Sequence, residues 1–134
     1  MNALELLEDT VNFYSVDPVG RRAVDDNGFC FYVMPDGKRC AIGRFLSMQC
    51  DDRHITMNIL GLKDNRNEIF SEEISSIPGN LLRLIQNFHD TSSNWNLHGL
   101  SETGQFHYEE LKERLHEEAG YREVQEKPSN LKIK

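Results

Sequence analysis

Long apolar runs are missing from this sequence, and no stretch approaches the roughly 18 apolar residues that a membrane-spanning helix needs. Basic residues are also short: 15 Lys and Arg stand against 22 Asp and Glu, a net charge of −7 at pH 7. Such a field repels free nucleic acid and anionic lipid, so neither direct nucleic-acid binding nor membrane binding is expected. The partner class that this charge favours is a basic protein. Cysteine is scarce and odd in number, three in all. Met1 to Thr10 carries acids where a secretory signal would carry Lys or Arg. Together these features predict free thiols in a cytoplasmic protein rather than a disulfide frame. Internal repeats and low-complexity segments are absent.

What is present suits one modest core. The chain has 134 residues, 38% of them hydrophobic, with seven Phe, four Tyr and Trp95 as bulky core material. The pattern predicts an α+β fold: a mainly helical single domain over residues 1–120, three or four helices packed around a short β-hairpin at about residues 29–42, and a flexible C-terminal tail over 121–134. Leu4, Leu7, Val11 and Tyr14 form the stripe of a helix over 2–15, with Asn2 and Glu5 spaced as a capping box and Asp17-Pro18 and Gly20 as its stop. Leu81, Leu84, Ile85 and Phe88, with Leu82 beside them, mark a stronger helix with Pro78 in its first turn and a polar end at His89 to Asn94. Tyr108, Leu111 and Leu115 mark a last helix over 105–119, supported by Glu110 and Arg114 and stopped at Gly120. A short helix begins at Ser71, and residues 55–62 fit strand and helix equally.

Between these helices, Phe29 to Val33 reads as a strand entering Pro35-Asp36-Gly37, the residues of a type I turn closed by a left-handed glycine. In that geometry Met34 faces Lys38, Tyr32 faces Cys40 and Cys30 faces Ile42. Cys30 and Cys40 are then diagonal neighbours on one face, roughly 7 Å apart, too far for an unstrained disulfide but near enough to share a pocket. A short helix is expected from Gly43 to Met48, just past Cys40.

Gly28 to Leu46, taken with Gln86 to Asp90, resembles a group of small uncharacterised bacterial and phage proteins. Their pattern is a Cys and Tyr before an Asp-Gly turn, then Cys-Ala-(Val or Ile)-Gly, and later Gln-x-x-His-Asp closing a helix. Cys30, Tyr32, Asp36, Gly37, Cys40, Ala41, Ile42 and Gly43 match its first half; Gln86, His89 and Asp90 match its second, and Trp95 the tryptophan that tends to follow. The likeness covers roughly residues 28–100 and implies a shared fold and a phage or mobile-element setting, with no mechanism attached. After Gly43 this chain has Arg44, where the group commonly has Cys, so a site of three clustered thiols is not what this sequence carries.

Three functional readings follow. The first is a non-enzymatic, acidic accessory protein of phage or mobile-element type, acting in the host cytoplasm on a basic protein such as a nucleic-acid-handling enzyme. Glu109, Glu110, Glu113 and Glu117 are the candidate partner-binding residues. The second is a cysteine-dependent hydrolase or transferase. Cys40, at a helix start that lowers its pKa, is the nucleophile, His89 the base, and Asp90 or a nearby Asn the orienting group. Adjacency in the chain makes Asp90 an awkward orienter of His89. The third is a small zinc module built on Cys30, Cys40 and His89, with His54, His98 or His107 as a further ligand, although nine residues between the cysteines break the usual paired spacing. No other cofactor is expected. Arg21, Arg22, Arg39 and Arg44 read as solvated or ion-paired points, Cys50 as isolated, and His107 and His116 as exposed.

Overall fold

A computed structural model describes residues 1–25, 31–47 and 58–126, with side chains through 118. Helix α1 spans Ala3–Ser15. The capping box forms: Glu5 N donates to Asn2 Oδ1 and Asn2 N to Glu5 Oε1, each at 2.8 Å, which contributes about 1 kcal/mol. Its buried face is Leu6, Leu7, Thr10, Val11 and Tyr14. That face is wider than the expected stripe because α1 is covered by two later helices, α5 (Gly79–Asp90) and α6 (Glu102–Glu126). Thr10 can be buried because its hydroxyl donates to the Leu6 carbonyl at 2.8 Å. A single turn, α2 (Pro18–Arg21), follows, with Asp17 accepting from Gly20 N at 3.0 Å.

The chain reverses at Pro35-Asp36-Gly37 in the expected register. Gly37 N bonds to Met34 O at 2.9 Å, Met34 N to Lys38 O at 2.9 Å and Cys40 N to Tyr32 O at 3.2 Å. Gly37 carries a φ of 91°, the left-handed position that the turn requires. Among the described residues this reversal holds one isolated bridge, Val33 with Arg39; Phe29 and Cys30, the start of the expected strand, lie outside them. The regular hairpin is elsewhere. Strand β1 (Trp95–Asn96) pairs antiparallel with β2 (Gly99–Leu100), Trp95 opposite Leu100. Two-residue strands are too short to show alternation in sequence, so the pattern assigns no element to this stretch.

Past Cys40 the expected helix is one 3-10 turn, Gly43–Phe45. Ser47 N to Ile69 O and Ser71 N to Phe45 O then pin this segment to the chain near Phe70. Helix α3 (Ile59–Asn65) takes up the end of the ambiguous segment, capped by Asn58 accepting from Gly61 N at 2.8 Å; residues 55–57 lie outside the described set. A short α4 (Glu72–Ser75) precedes α5. Helix α5 is central and touches α1, α3 and α6, burying Leu81, Leu82, Ile85 and Phe88. Each such burial contributes about 1.5–3 kcal/mol.

Helix α6 starts earlier and ends later than the sequence indicates. Ser101 Oγ accepts from Gly104 N at 2.9 Å, which caps the helix at Glu102. Gly120 does not stop it, and the backbone stays helical to Glu126. A glycine inside a helix costs only about 1 kcal/mol, so it terminates one only where the backbone turns left-handed. Of the expected tail, 127–134 lie outside the described residues. On the described part of α6 the ion pair is Glu109 with Lys112 at 3.1 Å rather than Glu110 with Arg114. No helix of the described residues is long and apolar enough to cross a membrane.

Candidate functional site

The residues singled out by the sequence pattern interlock at the C-terminal end of α5. Gln86 sits one turn before Asp90 and works in two directions. Its Oε1 accepts from Ile42 N at 2.9 Å and its Nε2 donates to Asp90 Oδ1 at 2.7 Å. The same side chain also hydrogen-bonds to the Cys40 thiol, which in addition accepts from Gly43 N at 3.2 Å. Asp90 Oδ1 lies 2.8 Å from His89 Nδ1. An ionised carboxylate only accepts, so this contact fixes the proton on Nδ1. The adjacent Asp90 is therefore the group that orients His89, which chain proximity had argued against. A continuous polar chain runs from Cys40 through Gln86 and Asp90 to His89.

Neighbouring elements seal this chain. Cys40 is 1% exposed and His89 wholly buried. The Tyr14 ring packs edge-on against His89, centroids 4.4 Å apart, and its hydroxyl donates to the Arg39 carbonyl at 2.5 Å. Trp95 Nε1 donates to the His89 carbonyl at 3.0 Å, and Arg22 donates to the carbonyls of His89 and Asp90 at 3.2 and 3.4 Å. Arg22 thus neutralises the carbonyl end of α5. Gly43 is required where the segments cross: a Cβ there would sit 2.1 Å from the Tyr32 carbonyl oxygen and 3.1 Å from Cys40 Sγ. Ala41 and Ile42 are fully buried beside it.

Burial also decides the protonation states. It pushes the Cys40 thiol far above its ordinary value, with the Asp90 charge adding, and outweighs the stabilising contacts from Gly43, Gln86 and Ile42. The expected activation by a helix start fails here: the helix is a three-residue 3-10 turn, and these few contacts do not offset full desolvation. Burial likewise holds His89 below its ordinary value, opposed by the bond to Asp90. It raises Tyr14 and Tyr32 as well, with Cys40 as the next contributor in each. The resulting species are a neutral thiol and a neutral imidazole, and His89 Nε2 has no hydrogen-bond partner among the described residues. A nucleophilic thiolate needs the opposite environment.

For the zinc arrangement, Cys30 and His54 lie outside the described residues, as does Cys50. Among the described residues, no group of three or more His, Cys, Asp or Glu side chains could hold a metal ion. His107 is half-buried rather than exposed, its Nδ1 2.8 Å from Asn94 Oδ1, and His116 is exposed as expected.

The acidic residues of α6 have a different setting. An open groove of about 380 Å³ runs between α1 and α6, lined by Leu4, Glu8, Glu109, Lys112, Glu113 and His116. Glu109, Glu110, Glu113 and Glu117 are all exposed. Glu8 joins them from α1, a contribution the sequence could not reveal because it depends on how the two helices pack. Lys112 is held by Glu109 and lies 4.5 Å over the Tyr108 ring. The groove therefore presents carboxylates in excess of cations, with Leu4 as the apolar residue of its lining.

The arginines are committed to the fold. Besides Arg22, Arg21 closes α1 by donating to the Phe13 carbonyl at 2.9 Å, Arg39 bridges the carbonyls of Gly43 and Leu46, and Arg44 pairs with Asp9 at 2.8 Å. No protein-family model, curated protein or solved structure matches this chain.

Proposed function

We propose that this domain is a non-enzymatic accessory protein that binds a basic protein through the acidic groove between α1 and α6. The observation that carries this reading is the convergence of Glu8 with Glu109 and Glu113 along one open groove, with Glu110 and Glu117 exposed on the same helix. A cationic segment laid there gains charge-assisted contacts, and the −7 field of the whole molecule accelerates its approach. A partner that handles nucleic acid fits this chemistry, because its phosphate-binding surface is basic and the groove competes for it. The resemblance to phage proteins supports a host target of that kind. The cysteine-dependent alternative has less support, since Cys40 is a sealed, protonated thiol. The zinc alternative has less support as well, since among the described residues no three His, Cys, Asp or Glu side chains come together around Cys40 and His89.

The test is capture from a host lysate at low salt, with the E109Q/E110Q/E113Q/E117Q variant in parallel and duplex DNA as competitor. The expected result is a basic, nucleic-acid-binding protein retained by the wild type, lost from the variant and released by added salt or DNA. No such protein, or one retained equally by the variant, overturns the proposal.

A further inference from the structure

The chain holds one of its own arginines in a way that its surface offers a second time. On α1, Asp9 and Phe13 stand four residues apart and together receive Arg44. Its guanidinium carbon lies 4.0 Å from the Phe13 ring centroid, the nearest of three rings around it, and its Nη2 lies 2.8 Å from Asp9 Oδ2. Arg21 lies over the same ring at 4.4 Å. Residues four apart share a helix face, and a long side chain leans over the turn before its own, so a phenylalanine and the acid one turn earlier can hold a planar cation together. On α6, Glu102 and Phe106 repeat this acid-to-ring spacing, with both side chains exposed. We propose that Glu102 and Phe106 receive an arginine of the basic partner and make the acidic face of α6 selective for arginine over lysine. This inference rests on the reading that the domain binds a basic protein.

Phe106 is 62% exposed and is the only exposed Phe, Tyr or Trp side chain among the described residues. Its ring lies tilted 5.9 Å from that of His107, which is fixed in turn by Asn94. Glu110, Glu113 and Glu117 follow it at intervals of three and four residues, on one stripe of α6 opposite the buried Leu115. Three basic side chains flank the stripe: Lys112, answered by Glu109 at 3.1 Å, Arg114 and His116. The carboxylates of Glu102, Glu109, Glu110, Glu113 and Glu117 outnumber them.

Such a face attracts any cation, and the ring is what separates one cation from another. A guanidinium can stack flat on Phe106 and still present parallel N–H groups to a carboxylate. An ammonium has neither the plane nor the fork, so lysine gains the charge of the face and little of the ring.

Fluorescence anisotropy at low salt tests this, with labelled hexa-arginine and hexalysine titrated by the full chain as wild type, F106L and E109Q/E110Q/E113Q/E117Q. F106L keeps an apolar side chain at an exposed helix position and removes only the π face. The wild type is expected to bind hexa-arginine about fivefold more tightly than hexalysine, and F106L should bring that ratio to within about twofold with hexalysine affinity unchanged. The proposal is overturned if the wild type binds both peptides equally, if F106L keeps the wild-type ratio, or if F106L weakens both peptides alike. The four-glutamate variant reads the acidic-groove proposal separately. Weaker binding of both peptides supports the groove; undiminished binding of both overturns it, while the effect of F106L still decides the role of Phe106. If neither peptide binds the wild type, both proposals fall.

Discussion

At the end of α5 a cysteine, a glutamine, a histidine and an aspartate are sealed together, whereas between α1 and α6 glutamates, a lysine and a histidine line an open groove. The first set contains the residue types that catalyse reactions, yet its polar groups are spent on one another and, through Gln86, on joining α5 to the segment 40–43. The second set is chemically plain and reachable by a partner. The comparison teaches that residue type names a possible chemistry, while solvent access and protonation decide whether that chemistry is used. A buried network of this kind specifies how segments pack, because leaving any member unpaired is costly.

The contrast can be broken most forcefully at Gly43. Gly43→Ala places a methyl 2.1 Å from the Tyr32 carbonyl, which is expected to cost about 3 kcal/mol or more by urea unfolding. Gln86→Leu keeps the volume but orphans the Ile42 N–H and removes one donor from the Asp90 carboxylate. A loss of about 2–3 kcal/mol is expected by the same measurement. A loss under about 0.5 kcal/mol would show that the network does not hold the fold.

Acidification sharpens the comparison more gently. His89 in the folded chain titrates below its ordinary value of 6.5, so the unfolded chain binds more protons between the folded and unfolded values. The contribution of a neutral buried His89 is complete above about pH 6.5 and is lost as pH falls toward the folded value, with a slope of at most about 1.4 kcal/mol per pH unit. Unfolding curves of the wild type and His89→Gln between pH 7 and pH 5 should diverge in slope; parallel curves would contradict neutral burial. The smallest stability effect is expected in the other region. E109Q/E110Q/E113Q/E117Q should change unfolding free energy by no more than about 0.5 kcal/mol, since exposed carboxylates contribute little to the fold.

Much of the framework was legible because it rests on local chemistry. The Asn2–Glu5 box, the Pro35-Asp36-Gly37 reversal with its register, and the stripe of Leu81, Ile85 and Phe88 each follow from neighbours in sequence. The union of Cys40, Gln86, His89 and Asp90 was also foreseeable in outline, since the same pattern named all four. What was illegible is their burial, which depends on Tyr14 and Trp95 arriving from distant segments. The acidic groove was hidden for the same reason. Glu8 meets Glu109 and Glu113 only after α1 has packed. The hairpin at Trp95–Leu100 escaped notice because two-residue strands carry no periodic signal.

The most direct test of the account is the alkylation rate of Cys40 at neutral pH, followed peptide by peptide by mass spectrometry in native and urea-unfolded protein. A sealed, protonated thiol predicts native modification slower than in the unfolded chain by at least about 10³-fold, in step with the global unfolding equilibrium. Native modification as fast as in the unfolded chain, or faster, would mean that Cys40 is an accessible thiolate and that the end of α5 is a reactive site.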